Sequence, residues 1–243
     1  MSKARLDMVL VERGLASSRN EAQTLIRLGR VYGRSGRLDK PGLLVDPAAE
    51  VWIKEEARFL SRGGYKLEGA LEAFQLNPEG WICLDVGAST GGFTHCLLLR
   101  GAAHVYALDV GENLLHEKLK SDPRVAVLDG VNARNFKAEM LPRQLDLITV
   151  DVSFISLTLV LPPLVPALKP GGLLLPMVKP QFEAGKGQVG KGGVVRDPVV
   201  REATVEKIRR LGAGLGLEVL GSAPSPVKGP KGNEEMFILF RKN

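Results

Sequence analysis

The residues best suited to chemistry lie in one short segment, Asp85-Val-Gly-Ala-Ser-Thr-Gly-Gly92, which follows an apolar run. Its glycines allow the backbone to turn tightly and to approach a ligand that side chains would exclude. The segment lacks both the G-x-G-x-x-G spacing of dinucleotide sites and the lysine of a Walker loop. An acid followed by x-Gly-x-x-x-Gly is instead the pattern of S-adenosylmethionine sites. The expected cofactor contacts here are Asp85, Gly87, Ala88, Ser89, Thr90, Gly91, Gly92 and Phe93.

Asp85 can serve the cofactor's cationic part directly or by fixing the loop, and two further acids extend the expected site. Asp109 closes the next apolar run, 22 residues after Gly87, where this kind of fold places an acid on ribose hydroxyls. Asp129 closes the run after that, where an acid can accept a hydrogen bond from the adenine amino group. Acids at strand ends can also simply cap loops. Three in order beside a glycine-rich turn favour cofactor binding.

The elements that must position these residues form an alternating pattern. The expected strands are residues 81–87, 104–110, 124–129, 145–151, 173–178, 217–222 and 234–242. Helical patterns lie between most of them, and the strands are apolar on both faces, as in a parallel sheet that is covered on both sides. We therefore predict an α/β, Rossmann-like, open doubly wound sheet of seven strands.

The N-terminal end of the chain is strongly basic. Residues 1–37 carry eight Lys/Arg and three Asp/Glu, so they hold +5 of the net charge of +6. Ser18-x-x-Glu21 is a capping box ahead of a helix that Gly29 would end, with arginines aligned on one face. This concentration of charge indicates a polyanion partner. We expect RNA contacts from Arg5, Arg19, Arg27, Arg30 and Lys40.

Two cysteines and an N-terminus without an apolar signal region predict a reduced, cytoplasmic protein. The segment FLSRGGYK interrupts the patterned elements. We place a small α+β module at 1–58, a linker at 59–66 and the α/β domain at 67–243.

The motifs, taken together, resemble a known family. The segment from Arg5 to Ile26 is similar to the S4 RNA-binding domain, and SRGGYKLEGAL, LDVGASTGGFT, DVSFISL, VKPQFEAG and PVKGPKGNEEMF are similar to the remainder of the TlyA family, once called haemolysin A. The resemblance implies an S4-type RNA-binding domain joined to an FtsJ-like class I methyltransferase domain. It also implies S-adenosyl-L-methionine as cofactor, ribosomal RNA or ribosomal subunits as partner, and a cytidine ribose 2′-hydroxyl as acceptor.

The resemblance further implies a catalytic tetrad at Lys66, Asp151, Lys179 and Glu235. Its residue types suit the chemistry, because a ribose hydroxyl is a very weak acid and a lysine can accept its proton or stabilise its developing charge. We assign Lys179 as the lysine nearest the acceptor, with Lys66 supporting it. The register alone also allows Glu234 in place of Glu235.

Several alternatives stand beside this interpretation. A non-catalytic RNA-binding protein would not need the intact glycine loop and lysines, and a membrane-active haemolysin would need an amphipathic or apolar element that we do not find. The cysteines and the three histidines lack metal-ligand spacing, so we expect no metal. Whether naked RNA or an assembled subunit is the substrate stays open, as does the role of His95.

Overall fold

The chain folds into two compact units, Met1–Arg58 and Phe59–Asn243, in a computed structural model. The structure describes residues 3–27, 29–54, 58–185, 187–229 and 231–243. The two units are described separately below.

The described residues of the first unit form two helices and five very short strands. They are β1 Ala4–Arg5, α1 Leu6–Glu12, α2 Arg19–Arg27, β2 Val31–Gly33, β3 Gly36–Arg37, β4 Leu44–Val45 and β5 Val51–Ile53. Strand β1 pairs with β4, and β2 lies between β3 and β5. At the start of helix α2, Ser18 Oγ accepts the Glu21 N–H as its capping box predicts, whereas the Glu21 carboxylate accepts the N–H of Ser17, one residue before the cap. Ala22 and Ile26 are its buried side chains.

The second unit contains all seven strands that the sequence predicts. Its elements are α3 Arg62–Ala73, β6 Ile82–Val86, α4 Gly92–Leu99, β7 His104–Leu108, α5 Glu117–Lys120, β8 Val125–Leu128, β9 Leu145–Val150, α6 Leu157–Leu164, β10 Leu168–Val178, α7 Pro180–Glu183, α8 Pro198–Gly214, β11 Leu217–Pro224 and β12 Met236–Lys242. Short 3-10 turns cover Ala133–Asn135, Ala138–Met140 and Val165–Ala167.

The seven strands form one sheet in the order β11-β12-β10-β9-β6-β7-β8. The five strands from β10 to β8 are parallel, whereas β12 runs antiparallel to both of its neighbours. The predicted Rossmann-like sheet of seven strands is therefore confirmed, and it is mixed because β12 runs against its neighbours. The chain passes from β11 to β12 through a loop without a crossover helix, and a connection of this kind returns the strand antiparallel.

The structure departs from the predicted linker at 59–66, because this segment belongs to the second unit. Phe59 is buried, and helix α3 begins at Arg62. The two glycines that suggest a break instead permit close packing: a Cβ on Gly64 would overlap the ring of Phe59. Lys66 is consequently held on a helix in the packed domain and not on a flexible connection.

Apolar side chains cover both faces of the sheet, and the helices divide between them. Helices α3, α4 and α5 pack on one face, while α6 and α8 pack on the other. The carboxyl ends of the central strands β6, β7, β9 and β10 therefore meet at one edge between two helical layers. Ligands bind at this edge in folds of this kind.

Candidate active site

The glycine loop follows β6 and crosses the end of β9. Gly87 has a φ of 85°, and a Cβ there would overlap the carbonyl oxygen of Asp151. Gly91 has a φ of 91°, and a Cβ there would meet Leu119. Only glycine fits both positions, because each combines a left-handed backbone with a close neighbour. The loop is thereby pressed against the residue that ends β9.

Asp85, the last-but-one residue of β6, holds this loop in place through hydrogen bonds to Thr94 in α4. It is fully buried, and its Oδ2 accepts hydrogen bonds from the N–H and the hydroxyl of Thr94, at 2.9 and 2.7 Å. Burial raises the pKa of Asp85 to about 7, and the nearby charge of Asp151 adds to the effect. These bonds tie β6 to the start of α4, which fits the loop-fixing role, and Asp85 is absent from the linings of the three cavities described next.

Three cavities lie at this end of the sheet, and each is named here after the residues that line it. The loop cavity, about 250 Å³, is lined by Ser61, Arg62, Gly63, Lys66, Gly87, Ala88, Ser89, Thr90, Gly92, Phe93 and Asp151. The strand-end cavity, about 570 Å³, includes Gly87, Ser89, Asp109, Asn132, Asp151, Ser153 and Phe154. The lysine cavity, also about 570 Å³, includes Lys66, Asp151, Ser153, Phe154, Lys179, Gln181, Phe182 and Glu235. Asp151 lines all three, so they meet at the end of β9.

The two expected strand-end acids occupy different positions. Asp109 lines the strand-end cavity, where its carboxylate accepts the N–H groups of Ser89 and Gly111 at 2.8 and 2.9 Å. Asp129 does not line this cavity, and its carboxylate accepts the N–H of Asn113 at 2.9 Å. Asp109 is therefore placed to face a ligand, whereas Asp129 stabilises a neighbouring turn.

The four residues of the implied tetrad form two ion pairs around the lysine cavity. Lys66 Nζ lies 2.5 Å from Glu235 Oε2, and the two side chains are 8% and 1% exposed. Lys179 Nζ lies 2.5 Å from Asp151 Oδ1, and these side chains are 10% and 19% exposed. One pair is thus almost wholly enclosed, while the other is slightly more open. The structure brings all four together from α3, the end of β9, the end of β10 and the residue before β12.

The choice between the two neighbouring glutamates is visible in the geometry. Glu235 is buried against Lys66, whereas the Glu234 carboxylate pairs with Arg201 and Lys228 at the surface. Because alternate residues of an extended segment point in opposite directions, only one of the two can face the site.

The sequence indicated neither a further partner of Lys179, which is Ser153, nor the role of Glu183 in holding the neighbouring segments. Its Nζ donates to Ser153 Oγ at 3.0 Å, so the hydroxyl lies between the lysine and strand-end cavities. Glu183, at the end of α7, accepts from Ser156 Oγ at 2.7 Å and from the N–H of Leu157 at 2.6 Å. These bonds join α7 to the start of α6 and hold the two segments that carry Asp151 and Lys179.

Sequence reasoning also missed an aromatic pair at the mouth of the lysine cavity. Phe154 is 91% exposed, and its φ of 62° is rare for a residue with a side chain. Its ring centroid lies 5.1 Å from that of Phe182. An exposed aromatic residue on a strained backbone beside the implied tetrad is a functional candidate. The only available signal was an apolar residue three positions after a strand-end acid, which is equally typical of a core position.

His95, which had no assigned role, has a structural one. Its Nδ1 accepts the N–H of Leu60 at 3.3 Å, and its ring meets Phe59 edge-on. Burial lowers the pKa of His95, which favours the neutral ring that this bond requires. His95 thus fastens the chain entering α3 to α4.

The residues expected to bind RNA lie in the first unit, and two of them share a buried carboxylate. Asp7 is buried and accepts from Arg5 Nη2 at 2.9 Å, Arg19 Nε at 3.1 Å and Gln23 Nε2 at 2.9 Å. The hydrogen bond from Arg5 is the largest cause that holds the pKa of Asp7 well below its usual range. Both guanidinium groups are thereby fixed while their side chains stay about half exposed.

The other three expected contacts are less constrained. Arg27 is exposed and donates to Gln23 on its own helix, and Arg30 donates to the carbonyl of Lys54. Lys40 is exposed on the loop before β4. These positions leave cationic groups at the surface of the first unit.

Two properties of the described part of the chain bear on the alternatives. Within it, every helix is too short or too polar to cross a membrane. The same residues include no cluster of three or more His, Cys, Asp or Glu side chains that could hold a metal ion.

Comparison with known proteins identifies the family. The FtsJ-like methyltransferase family model matches residues 59–242, and the S4 domain model matches residues 4–51. Over 241 residues the chain is 48% identical to the 16S/23S rRNA (cytidine-2′-O)-methyltransferase TlyA of Mycobacterium tuberculosis, covering 98% of this chain and 90% of that protein. The chain belongs to the TlyA family.

Other members of the TlyA family carry a different kind of name. The chain is 38% identical to Hemolysin A of Brachyspira hyodysenteriae, covering 97% of this chain and 99% of that protein. A solved structure of a hemolysin-named protein from Streptococcus thermophilus is 40% identical, with a TM-score of 0.76, and covers 100% of this chain and 90% of that one. The FtsJ-like domain makes the second unit a methyltransferase, and the S4 domain makes the first an RNA-binding type of module.

Proposed function

We propose that this TlyA-family protein transfers a methyl group from S-adenosylmethionine to the ribose 2′-hydroxyl of a cytidine in ribosomal RNA, in the cytoplasm. The observation that carries the proposal is the position of Asp151. It lies where the cavity around the glycine loop, the cavity at the strand ends and the cavity containing both lysines meet. A donor held in the first two would face an acceptor in the third.

The residues present fit S-adenosylmethionine. Gly87 leaves the floor between the loop and strand-end cavities free of a side chain, so one elongated ligand can occupy both. Asp109 presents a carboxylate to the strand-end cavity, which suits ribose hydroxyls. The loop cavity, with its backbone N–H groups and Ser and Thr side chains, suits a polar amino-acid end. When bound, this cofactor supplies an electrophilic methyl group on a sulfonium.

Lys179 and its partners would take up the proton of the acceptor 2′-hydroxyl. Asp151 and Ser153 hold Nζ of Lys179 from two sides, at 2.5 and 3.0 Å. The pair formed by Lys179 and Asp151 can take up the hydroxyl proton as the oxygen develops nucleophilic character. Lys66, fixed by Glu235, adds a positive charge that stabilises the developing negative charge on that oxygen. The fixed geometry of both pairs means that little reorganisation is needed during the reaction.

The aromatic pair provides a place for the base of the acceptor nucleotide. Phe154 and Phe182 both line the lysine cavity, and Phe154 is exposed. Enzymes that act on one nucleotide commonly extrude it and stack its base on an aromatic ring. We therefore place the target base against Phe154, with its ribose directed toward Lys179.

The choice of ribosomal RNA and of cytidine rests on the relatives, among them the curated Mycobacterium tuberculosis enzyme named for this reaction. The cationic surface of the first unit supports an RNA substrate independently.

Transfer of a labelled methyl group tests the proposal. The full chain is incubated with S-adenosylmethionine carrying a radioactive methyl group and either ribosomal RNA or DNA of matched sequence. Label should appear in RNA alone, because only RNA has the 2′-hydroxyl. Equal labelling of DNA would contradict the proposed acceptor, and label in neither, from ribosomal subunits as well as naked RNA, would contradict the proposed activity.

A further inference from the structure

The sheet β3-β2-β5 of the first unit has two faces of different character. Val31 and Val51 are buried and belong to the apolar core of that unit. Because side chains alternate along a strand, their neighbours Tyr32 and Trp52 lie on the opposite face. The register pairs Tyr32 directly with Trp52, and it pairs Tyr32 with Arg37 on the other side. One face is thus committed to the core, and the other carries aromatic and basic side chains.

The two aromatic rings on the outer face are stacked and accessible. Their centroids are 6.4 Å apart with an interplanar angle of 21°, and Trp52 is 42% exposed. The ring of Tyr32 lies on one side of Trp52, so Trp52 is held in a defined orientation. An indole fixed in this way offers a flat, rigid surface at little cost in conformational entropy.

Cationic side chains lie beside these rings and on the neighbouring turns. Lys54 Nζ lies 5.6 Å from the centroid of the Tyr32 ring, and Arg30 Nε donates to the carbonyl oxygen of Lys54 at 3.4 Å. Arg34 Nε pairs with Glu50 at 2.8 Å, and both of these side chains are mostly exposed. Arg37 lies on the strand opposite Tyr32, so among the described residues two cations, Lys54 and Arg37, flank the Tyr32 ring directly. We call Tyr32, Arg37, Trp52 and Lys54 the sheet face.

We infer that the sheet face binds unpaired RNA, with a base stacked on Trp52 and the adjoining phosphates beside the cations. Aromatic rings among Lys and Arg are the arrangement by which proteins hold single strands without reading their sequence. Lys54 and Arg37, which flank Tyr32, can pair with the phosphates on either side of a stacked base. This contact is additional to the arginines of α2, and it rests on RNA being the substrate, as proposed above.

Tryptophan fluorescence of the full chain tests the inference. The chain has two tryptophans, so Trp81→Phe leaves Trp52 as the only indole. A single-stranded oligouridine of about ten nucleotides, within the range that such surfaces cover, is then titrated into this variant. Stacking of a base should quench the Trp52 emission saturably. Double-stranded RNA of the same length should quench it much less, because its bases are already stacked.

Affinity measurements with substituted proteins complete the test. Fluorescence anisotropy of labelled oligouridine should show about fivefold or greater weakening for Trp52→Ala, which is the lower end of what stacking on one ring contributes. Trp52→Phe should retain most of the affinity. Leu99→Ala removes a similarly exposed apolar side chain from α4 and should change nothing.

The outcomes separate the possible partners. Unchanged oligouridine affinity in Trp52→Ala would overturn the inference. A loss confined to assembled ribosomal subunits, with naked RNA bound normally, would assign the sheet face to a protein contact and would also overturn it. Lys179→Ala should lose methyl transfer and keep the Trp52 quench. If the unaltered chain methylated no RNA while the quench persisted, the proposed function would fail and the sheet face would stand.

Discussion

Replacing Lys66 with methionine should destabilise the second unit substantially, because it leaves the Glu235 carboxylate buried without its cation. The two side chains are 8% and 1% exposed, and Nζ lies 2.5 Å from Oε2. Among the described residues, Glu235 Oε1 has no hydrogen-bond partner, so the compensation for burying this charge comes mainly from Lys66. Removing one partner of a buried ion pair costs about 3–5 kcal/mol.

This cost predicts a large thermal shift. For a domain of this size, each kcal/mol lowers Tm by about 2–4 °C, so Lys66→Met should unfold roughly 6–20 °C below the unaltered protein. The transition is followed by circular dichroism on the full chain at pH 7. The double substitution Lys66→Met with Glu235→Leu is the matched control and should recover most of the loss, because an apolar pair replaces the ionic one. A single substitution that unfolds within about 2 °C of the unaltered protein would refute the enclosed ion pair.

Three further predictions follow from the site and the first unit. Lys179→Ala should reduce methyl transfer by about 10²–10⁴-fold while leaving S-adenosylmethionine affinity, measured by calorimetry, nearly unchanged, because Lys179 lines neither the loop nor the strand-end cavity; a matching loss of cofactor affinity would contradict this. The pKa of Asp85 is raised from its ordinary 3.8 to about 7, so the folded state retains a proton that the unfolded chain releases, and the free energy of unfolding should fall as pH rises from about 4 to 7. Asp85→Asn should flatten that decline in urea titrations, and an unchanged pH dependence would show that Asp85 titrates normally. Arg27→Ala should weaken RNA binding and lower the slope of log affinity against log salt by about 1, and an unchanged slope would exclude a phosphate contact at this exposed side chain.

Much of the fold follows from local patterns in the sequence. The seven strands are predictable because each is an apolar run bounded by turn residues, and α2 because its capping box marks its start. The direction of β12 was not predictable in this way. It depends on whether the loop after β11 crosses the sheet or returns beside it, and both routes are compatible with the same apolar strand.

Some features of the candidate site and of the first unit are likewise readable from local sequence, whereas others are not. The glycine loop is recognisable because Gly87 and Gly91 satisfy a local backbone requirement, and the tetrad is recognisable through its motifs. The burial of Asp7 depends on Arg5, Arg19 and Gln23 meeting it in the folded unit, so an acid within a basic segment gave no sign of it. Such contacts arise from tertiary packing, which local pattern does not encode.

For Phe154 and for the segment 59–66 the sequence pattern suggests the opposite of the observed structure. An apolar residue in DVSFISL suggests burial, but a positive φ between β9 and α6 turns the ring outward. The paired glycines after Phe59 suggest a break, but they allow α3 to pack closely. In both cases the packing of neighbouring elements, and not the residue type, determines whether the segment is buried.

The position of the transferred methyl group tests the central claim most directly. RNA modified by the full chain is digested to nucleosides, which are separated and weighed by mass spectrometry, and a parallel sample is treated with alkali. Because a methyl on the 2′-oxygen blocks cleavage at its own phosphodiester, the account predicts 2′-O-methylcytidine and one alkali-resistant bond at the modified site. A methyl group on a base, with the backbone at that nucleotide still cut by alkali, would contradict the roles given to Lys179, Asp151, Lys66 and Glu235.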